Sequence, residues 1–447
     1  MTRKTALFDR GEGRVSKRKL PSAFLPSFPA YYDTGRKFYW IENDRAGWIE
    51  ITETSLRRHL HAAGISPNCP DGEIISPLDR KLIELQTKFD VAYAGPLAGH
   101  PKGMYEISGN RILVSSSPKL IEPEKGGWPL IKNLLANLFA DPLHDQRPYV
   151  IGWSKVAVAA LRARQHHPGQ ALALAGKIES GKSLFQNLIT EMLGGRVAKP
   201  YRYMRDATDF NGELFGAEHL MIEDEIASTD IRTRRNFGAR IKEITVNQMQ
   251  SFHAKHRQAI TLTPFWRLTI SLNDEPENLL ILPPIDESLV DKIMLLKVHK
   301  KPMPMPTHTQ AQKTAFWNAL LAELPAFLWF LDQWEIPAEL KCERFGITHF
   351  HHPELLAAIE TLAPETRLLA LIDAELFTGP VNSAWEGTAE ELERRLINGQ
   401  SAHEARRLLD WNNATGTYLG RLEKKYPDRI QKDRTTHKRL WRITPPK

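Results

Sequence analysis

The run ALALAGKIESGKSLFQ, from Ala171 to Gln186, spaces Gly176, Gly181, Lys182 and Ser183 as G-x-x-x-x-G-K-[ST]. A phosphate chain needs inward-pointing backbone N–H donors, a helix N-terminus and a fixed cation, and this pattern supplies all three. Gly176 and Gly181 permit a tight loop, and Lys177, Ile178, Glu179, Ser180 and Leu184 complete its lining. Lys182 would reach the β- and γ-phosphates, and the Ser183 hydroxyl would hold Mg²⁺. The motif means little without its context, a strand before and a helix after. ALALA and SLFQNLITEML read as those two elements.

Further along, EHLMIEDEIAS sets an apolar run, His219 to Ile222, before Glu223, Asp224 and Glu225. Nucleotide hydrolysis needs one carboxylate to hold Mg²⁺ and a second to orient the attacking water. Asp224 fits the first role and Glu225 the second; Glu223 competes for either. The competing account is an acid cluster favoured at a helix N-terminus. A third run, FWRLTISLNDEPEN, ends in Asn273, a polar tip able to sense a γ-phosphate and hold the water. A turn-forming Asn is compatible with the same position.

GKIESGKS, LMIEDE and ISLN, compactly placed between Gly176 and Asn273, resemble the superfamily three helicases. These are AAA+-like replication helicases of small DNA viruses, with relatives in primase–helicase proteins of phages, plasmids and mobile islands. The resemblance covers roughly residues 128–300. Lys255 and His256 sit where the family's DNA-tracking β-hairpin carries its Lys-His pair. Residue chemistry agrees: Arg240, Lys242, Lys255, His256 and Arg257 make the segment basic. A tip of this kind binds backbone phosphates without reading sequence, although a solvated charged loop has the same composition. One departure stands out. The family usually places an arginine after the sensor strand, reaching a neighbour's ATP; here ESLVDKIMLL offers Lys292, which lacks the bidentate fork. Arg234 and Arg235 are the other candidates.

These residues need elements to position them. Residues 171–300 alternate strand-like and helix-like segments, which predicts an α/β P-loop core of AAA+-like type. Residues 121–170 read as a helical collar, and 301–345 as a Pro-rich linker followed by helices. Residues 1–24 are a basic tail. Residues 25–120 read as a small α+β adaptor or DNA-binding domain, with a hairpin in FYWIENDRAGWIEI and a helix capped by Thr52 or Thr54. Residues 346–447 resemble a winged helix. Its third helix would offer Thr415, Tyr418, Arg421, Lys424 and Lys425 to DNA, and its wing Lys432, Arg434, Lys438 and Arg439.

The chain has 447 residues, a formal charge of +7 and only two cysteines, Cys69 and Cys342. Two distant cysteines make no disulfide framework, and a cytoplasmic setting is expected. No apolar run approaches the ~20 residues that span a bilayer. The His349–His352 cluster near Cys342 lacks the spacing of a standard zinc finger. The expectation is an ATP- and Mg²⁺-dependent DNA helicase for replication initiation in a phage or mobile element. It would work as a hexameric ring on single-stranded DNA, with duplex origin DNA and a primase as further partners. The rivals are an ATPase that loads or remodels proteins on DNA, and a DNA-binding regulator with a decayed ATPase.

Overall fold

The computed structural model describes residues 30–45, 47–223, 231–255, 258–361, 363–377, 383–434 and 439–446. The chain divides into two compact units. One comprises residues 1–225, 230–273 and 285–350; the other comprises 226–229, 274–284 and 351–447.

The first unit opens with antiparallel β1 (Ala30–Asp33), β2 (Phe38–Asn43) and β3 (Gly47–Ile51). The hairpin read from the sequence is the β2–β3 pair, with Asn43 opposite Gly47. Helix α1 (Glu53–Ala62) begins at Thr52, whose hydroxyl accepts from the Ser55 N–H and satisfies a donor the helix end leaves open. Helix α2 (Pro77–Lys88) begins likewise at Ser76, with Pro77 at its first position. Their leucines, among them Leu56, Leu60 and Leu82, pack on Tyr39 and Ile41 of the sheet. Strand β4 (Asp90–Val91) lies parallel to β1. Strands β5 (Tyr93–Gly95), β6 (Gly103–Ile107) and β7 (Asn110–Val114) form a second sheet in the order β5-β7-β6.

Helices α3 (Pro129–Phe139) and α4 (Arg147–Ala163) lead into the central sheet. The chain then runs through β8 (Ala171–Ala175), α5 (Lys182–Met192), β9 (Val197–Ala198), α6 (Tyr201–Met204) and β10 (His219–Ile222). Helix α7 (Ile231–Val246), a hairpin of β11 (Gln250–Phe252) and β12 (Ile260–Leu262), and β13 (Arg267–Leu272) follow. After α8 (Pro276–Leu279), which belongs to the second unit, β14 (Ile293–Lys297) completes the sheet. All five strands are parallel, in the order β14-β8-β13-β10-β9. A parallel sheet is covered on both faces, which is why ALALA, HLMI and IMLLK read as near-continuous apolar runs. This is a mixed α/β architecture around a parallel sheet.

Helix α9 (Gln310–Gln333) corrects one expectation. Among the described residues it is long and apolar enough, by length and composition, to cross a membrane. Here it packs instead on α3, α4 and α5, burying Phe316, Leu320, Leu324 and Phe327 in the main core. Its Glu323 carboxylate accepts from the Leu130 and Ile131 N–H groups at 3.1 and 3.0 Å. A negative charge at the start of α3 is favoured by the helix dipole. The short pair β15 (Lys341–Cys342) and β16 (Gly346–Ile347) ends this unit.

The second unit contains α10 (Pro353–Thr361), α11 (Pro364–Leu376), β17 (Trp385–Gly387), α12 (Ala389–Ile397), α13 (Ala402–Leu408), α14 (Ala414–Lys425), β18 (Ile430–Arg434) and β19 (Arg439–Ile443). Strands β17, β19 and β18 form an antiparallel sheet with β19 central. Thr388 and Glu391 make a reciprocal cap on α12. The core gathers Leu368, Leu392, Leu419, Leu422 and Trp441. A second correction follows. Thr415 and Tyr418 are inward-facing, Thr415 donating to Glu393 at 2.7 Å, so neither is presented to a groove. Every residue at an (i, i+4) spacing from a core leucine shares its face.

Candidate functional site

The loop after β8 is shaped by close approach. A Cβ on Gly176 would lie 2.3 Å from the Val298 carbonyl oxygen, so only glycine fits. Gly181 has φ +98°, in the left-handed region, with Met303 packed where a side chain would be. Between them Lys177, Ile178 and Glu179 are exposed, and Ser180 is buried. Ser183 and Leu184, in the first turn of α5, are half-buried. Helix α5 is held from behind by Phe185, whose ring meets Phe139 edge-on at 5.1 Å.

Lys182 is only 6% exposed, and its ammonium donates to the Gly176 carbonyl at 2.6 Å and the Lys177 carbonyl at 2.9 Å. It also donates to Asn273 Oδ1 at 3.3 Å. Strand β13 lies between β8 and β10, so its tip residue Asn273 comes directly to the loop. Ser180 Oγ is buried with no hydrogen-bond partner among the described residues. A buried hydroxyl with nothing to bond, beside a lysine curled over loop carbonyls, suits a group rich in acceptor oxygens. These features fit a nucleoside triphosphate, with Ser183 available to a metal ion.

At the end of β10, Glu223 forms an ion pair with Lys199. Asp224 and Glu225 lie outside the described residues. Lys199 was not singled out from the sequence; it becomes visible only because β9 runs parallel beside β10.

Lys292 requires correction. It is 9% exposed and its ammonium pairs with Asp291 at 2.6 Å, just before β14, at the N-terminal end of the sheet, whereas the loop lies at the C-terminal end. A residue that crosses to a neighbour's nucleotide must project into solvent, and this one does not. Burial raises the Asp291 pKa, but the Lys292 bond and the charges of Lys292 and Arg344 outweigh it and hold the carboxyl below its usual range. Of the alternatives, Arg234 is buried and Arg235 is exposed on α7.

The β11–β12 hairpin is anchored at its root. Asn211 donates from its side chain to the Ser251 carbonyl and accepts from the His253 N–H, both at 2.8 Å. Phe252 packs edge-on against Phe215 and Tyr93. Lys255 is exposed beyond this root. His256 and Arg257 lie outside the described residues. Lys242, on α7, bonds the Ser288 hydroxyl.

In the second unit, Arg421 pairs with Glu365 at 3.2 Å and Lys425 with Glu360 at 3.1 Å. Lys424 is exposed at the end of α14. Arg439 lines a cavity of about 740 Å³ with Arg394, Thr417 and Trp441. Lys438 lies outside the described residues.

A family of unknown function, DUF5906, matches residues 174–287, the stretch from the phosphate loop past Asn273. No curated protein matches this sequence. The fold is shared with a solved structure. The A form apo structure of the NrS-1 C-terminal region aligns at TM-score 0.53 and 14% identity, covering 93% of this chain and 96% of that one. A second apo structure of the same region gives the same values. The SCCmec type IV Cch active helicase is matched at TM-score 0.29 and 11% identity, over 89% of this chain and 73% of that one, too loosely to argue from.

Proposed function

We infer that this chain is an ATP-dependent DNA helicase of superfamily three type, acting in replication initiation of a phage or mobile element. The observation that carries the reading is the Lys182 ammonium held jointly by phosphate-loop carbonyls and by Asn273. A strand-tip amide that touches the loop lysine is placed to respond to a terminal phosphate. Lys182 and the loop N–H groups bind the phosphate chain; Ser183 and Asp224 hold the metal; Glu225 orients water, with Asn273 beside it. Bound Mg²⁺ supplies charge neutralisation on the phosphates.

With Lys292 buried, Arg235 takes the role of reaching a neighbouring subunit in a hexameric ring. The hairpin carrying Lys255, His256 and Arg257 contacts single-stranded DNA in the ring, with Lys242 adding charge. The second unit acts as a winged-helix duplex binder through Lys424 and Arg439, and the N-terminal α+β part as an adaptor, for example to a primase. The protein works in the cytoplasm.

The test is ATP hydrolysis with and without single-stranded DNA, alongside displacement of a labelled strand from a forked duplex. Stimulated hydrolysis with displacement is expected. Lys255→Ala with His256→Ala should cut displacement by a far larger factor than hydrolysis. Equal displacement by that double variant would sink the hairpin assignment. The second reading is an ATPase that loads or remodels proteins without unwinding; hydrolysis without displacement would select it. Absence of any hydrolysis would select a decayed regulator.

A further inference from the structure

We propose that Gln186 is a positioning residue, which sets the acidic end of β10 from the phosphate-loop helix through a closed ring of hydrogen bonds with Thr269, His219 and Thr190. The proposal rests on the nucleotide-binding reading above and deepens it.

Gln186 lies one turn beyond Lys182 and Ser183 on α5 and is fully buried. Its amide nitrogen donates to Thr269 Oγ1 on β13 at 2.8 Å. The same nitrogen donates to the Ile222 carbonyl at 3.1 Å. Thr269 Oγ1 is 2.8 Å from His219 Nε2 on β10, and His219 Nδ1 is 2.7 Å from Thr190 Oγ1 on α5. Thr190 Oγ1 donates back to the backbone carbonyl of Gln186 at 3.2 Å, which closes the ring.

Counting hydrogens gives the ring a direction. Each threonine hydroxyl has one proton to donate. The Thr190 proton goes to the Gln186 carbonyl, so His219 Nδ1 must carry the proton that Thr190 accepts. Bare Nε2 then accepts from Thr269, and Thr269 accepts from Gln186. Every donor in the ring is used. The opposite tautomer would leave the buried Thr269 proton without an acceptor. His219 is therefore neutral with its proton on Nδ1. Burial and the Lys199 charge act in the same sense.

The ring joins the three elements that carry the site: α5 with Lys182 and Ser183, β10 leading to Glu223 and Asp224, and β13 leading to Asn273. Its exit bond goes to the Ile222 carbonyl, part of the peptide that begins Glu223. A shift of α5 as the loop takes up phosphate must move that peptide or break buried bonds. Apolar side chains would fill the same positions with no desolvation cost, so cohesion alone does not call for four polar groups there.

The experiment uses the full chain, with hydrolysis titrated separately in ATP and in Mg²⁺, and thermal unfolding as a control. Thr269→Val keeps the shape and removes the hydroxyl; Thr269→Ser keeps the hydroxyl. Thr269→Val should lower kcat by about 10-fold, leave KM for ATP within about twofold and raise the Mg²⁺ requirement by about fivefold. Thr269→Ser should keep most activity, and Gln186→Leu should lose more than Thr269→Val. A Thr269→Val protein that melts lower but matches wild type in kcat and Mg²⁺ dependence would overturn the proposal. So would Thr269→Ser losing as much as Gln186→Leu, a readout that stands if the valine variant does not fold. An inactive wild-type chain would overturn the nucleotide reading and this inference together; an active wild type with an indifferent Thr269→Val overturns this inference alone.

Discussion

The two ends of the parallel sheet both bury cations and handle them in opposite ways. At the C-terminal end, Lys182 is held by loop carbonyls and by Asn273, in a loop whose Lys177, Ile178 and Glu179 face solvent. At the N-terminal end, Arg267 is 3% exposed and no carboxylate among the described residues pairs with it. Its guanidinium donates to the Trp266 carbonyl, stacks 4.6 Å from the Phe265 ring, and fills the space a Cβ on Gly169 would need. Burial pulls its pKa down to about 9, still charged near neutrality. Thr245 and Asn247, at the C-terminal end of α7, line the same small cavity, and a helix C-terminus favours a cation. One end holds its cation beneath a solvent-facing loop. The other seals its cation with one carbonyl and an aromatic face. Direction makes the difference: helices begin at the C-terminal ends of parallel strands, so free N–H groups gather there.

The largest effect that would sharpen this contrast is Lys182→Ala. It should cut ATP hydrolysis by about 10³-fold with little change in melting temperature, read by steady-state kinetics and calorimetry. Asn273→Ala should follow, with kcat down about 10- to 100-fold and nucleotide affinity nearly kept.

The pH dependence comes next. His219 has its pKa pulled to about 3 by burial, with Lys199 adding, from an ordinary 6.5. His167 is lowered in the same direction, by burial and then by Arg267. Below pH 6.5 the unfolded chain takes up protons that the folded chain refuses. Stability is therefore complete above that pH and lost as pH falls, at up to about 1.4 kcal/mol per unit for each such histidine. Denaturant unfolding at pH 7.5 and 5.5 measures it; a flat profile would contradict the buried neutral His219.

The smallest effect is Arg267→Met. Removing an unpaired buried charge should leave hydrolysis within about twofold and stability unchanged or raised by about 1 kcal/mol, measured by denaturant unfolding. A loss of hydrolysis comparable to that of Lys182→Ala would break the comparison outright.

Legibility followed the range of the interactions. The strand–loop–helix around Gly176 to Ser183, the β2–β3 hairpin and the Thr52 cap were readable because each rests on neighbours within a few residues. The parallel sheet was readable from its apolar runs. Lys292 was misread because charge type is visible in a sequence and burial is not. Thr415 and Tyr418 failed for the same reason: a basic helix face says nothing of the polar residues turned inward between the leucines. Gln186, Thr190, His219 and Thr269 did leave a signal, polar residues inside apolar runs, but no spacing rule connects them.

By itself the sequence determined that a phosphate-binding loop could form, because that chemistry is carried by consecutive backbone groups. It also determined a mixed α/β architecture, since burial on both faces writes itself into continuous apolar strands. Only the tertiary structure decided which lysine meets Asn273, which cations are sealed away and which buried hydrogen bonds join α5 to β10. Those depend on strand order and sheet direction, where residues 29 to 91 positions apart become neighbours through hydrogen bonds of about 3 Å.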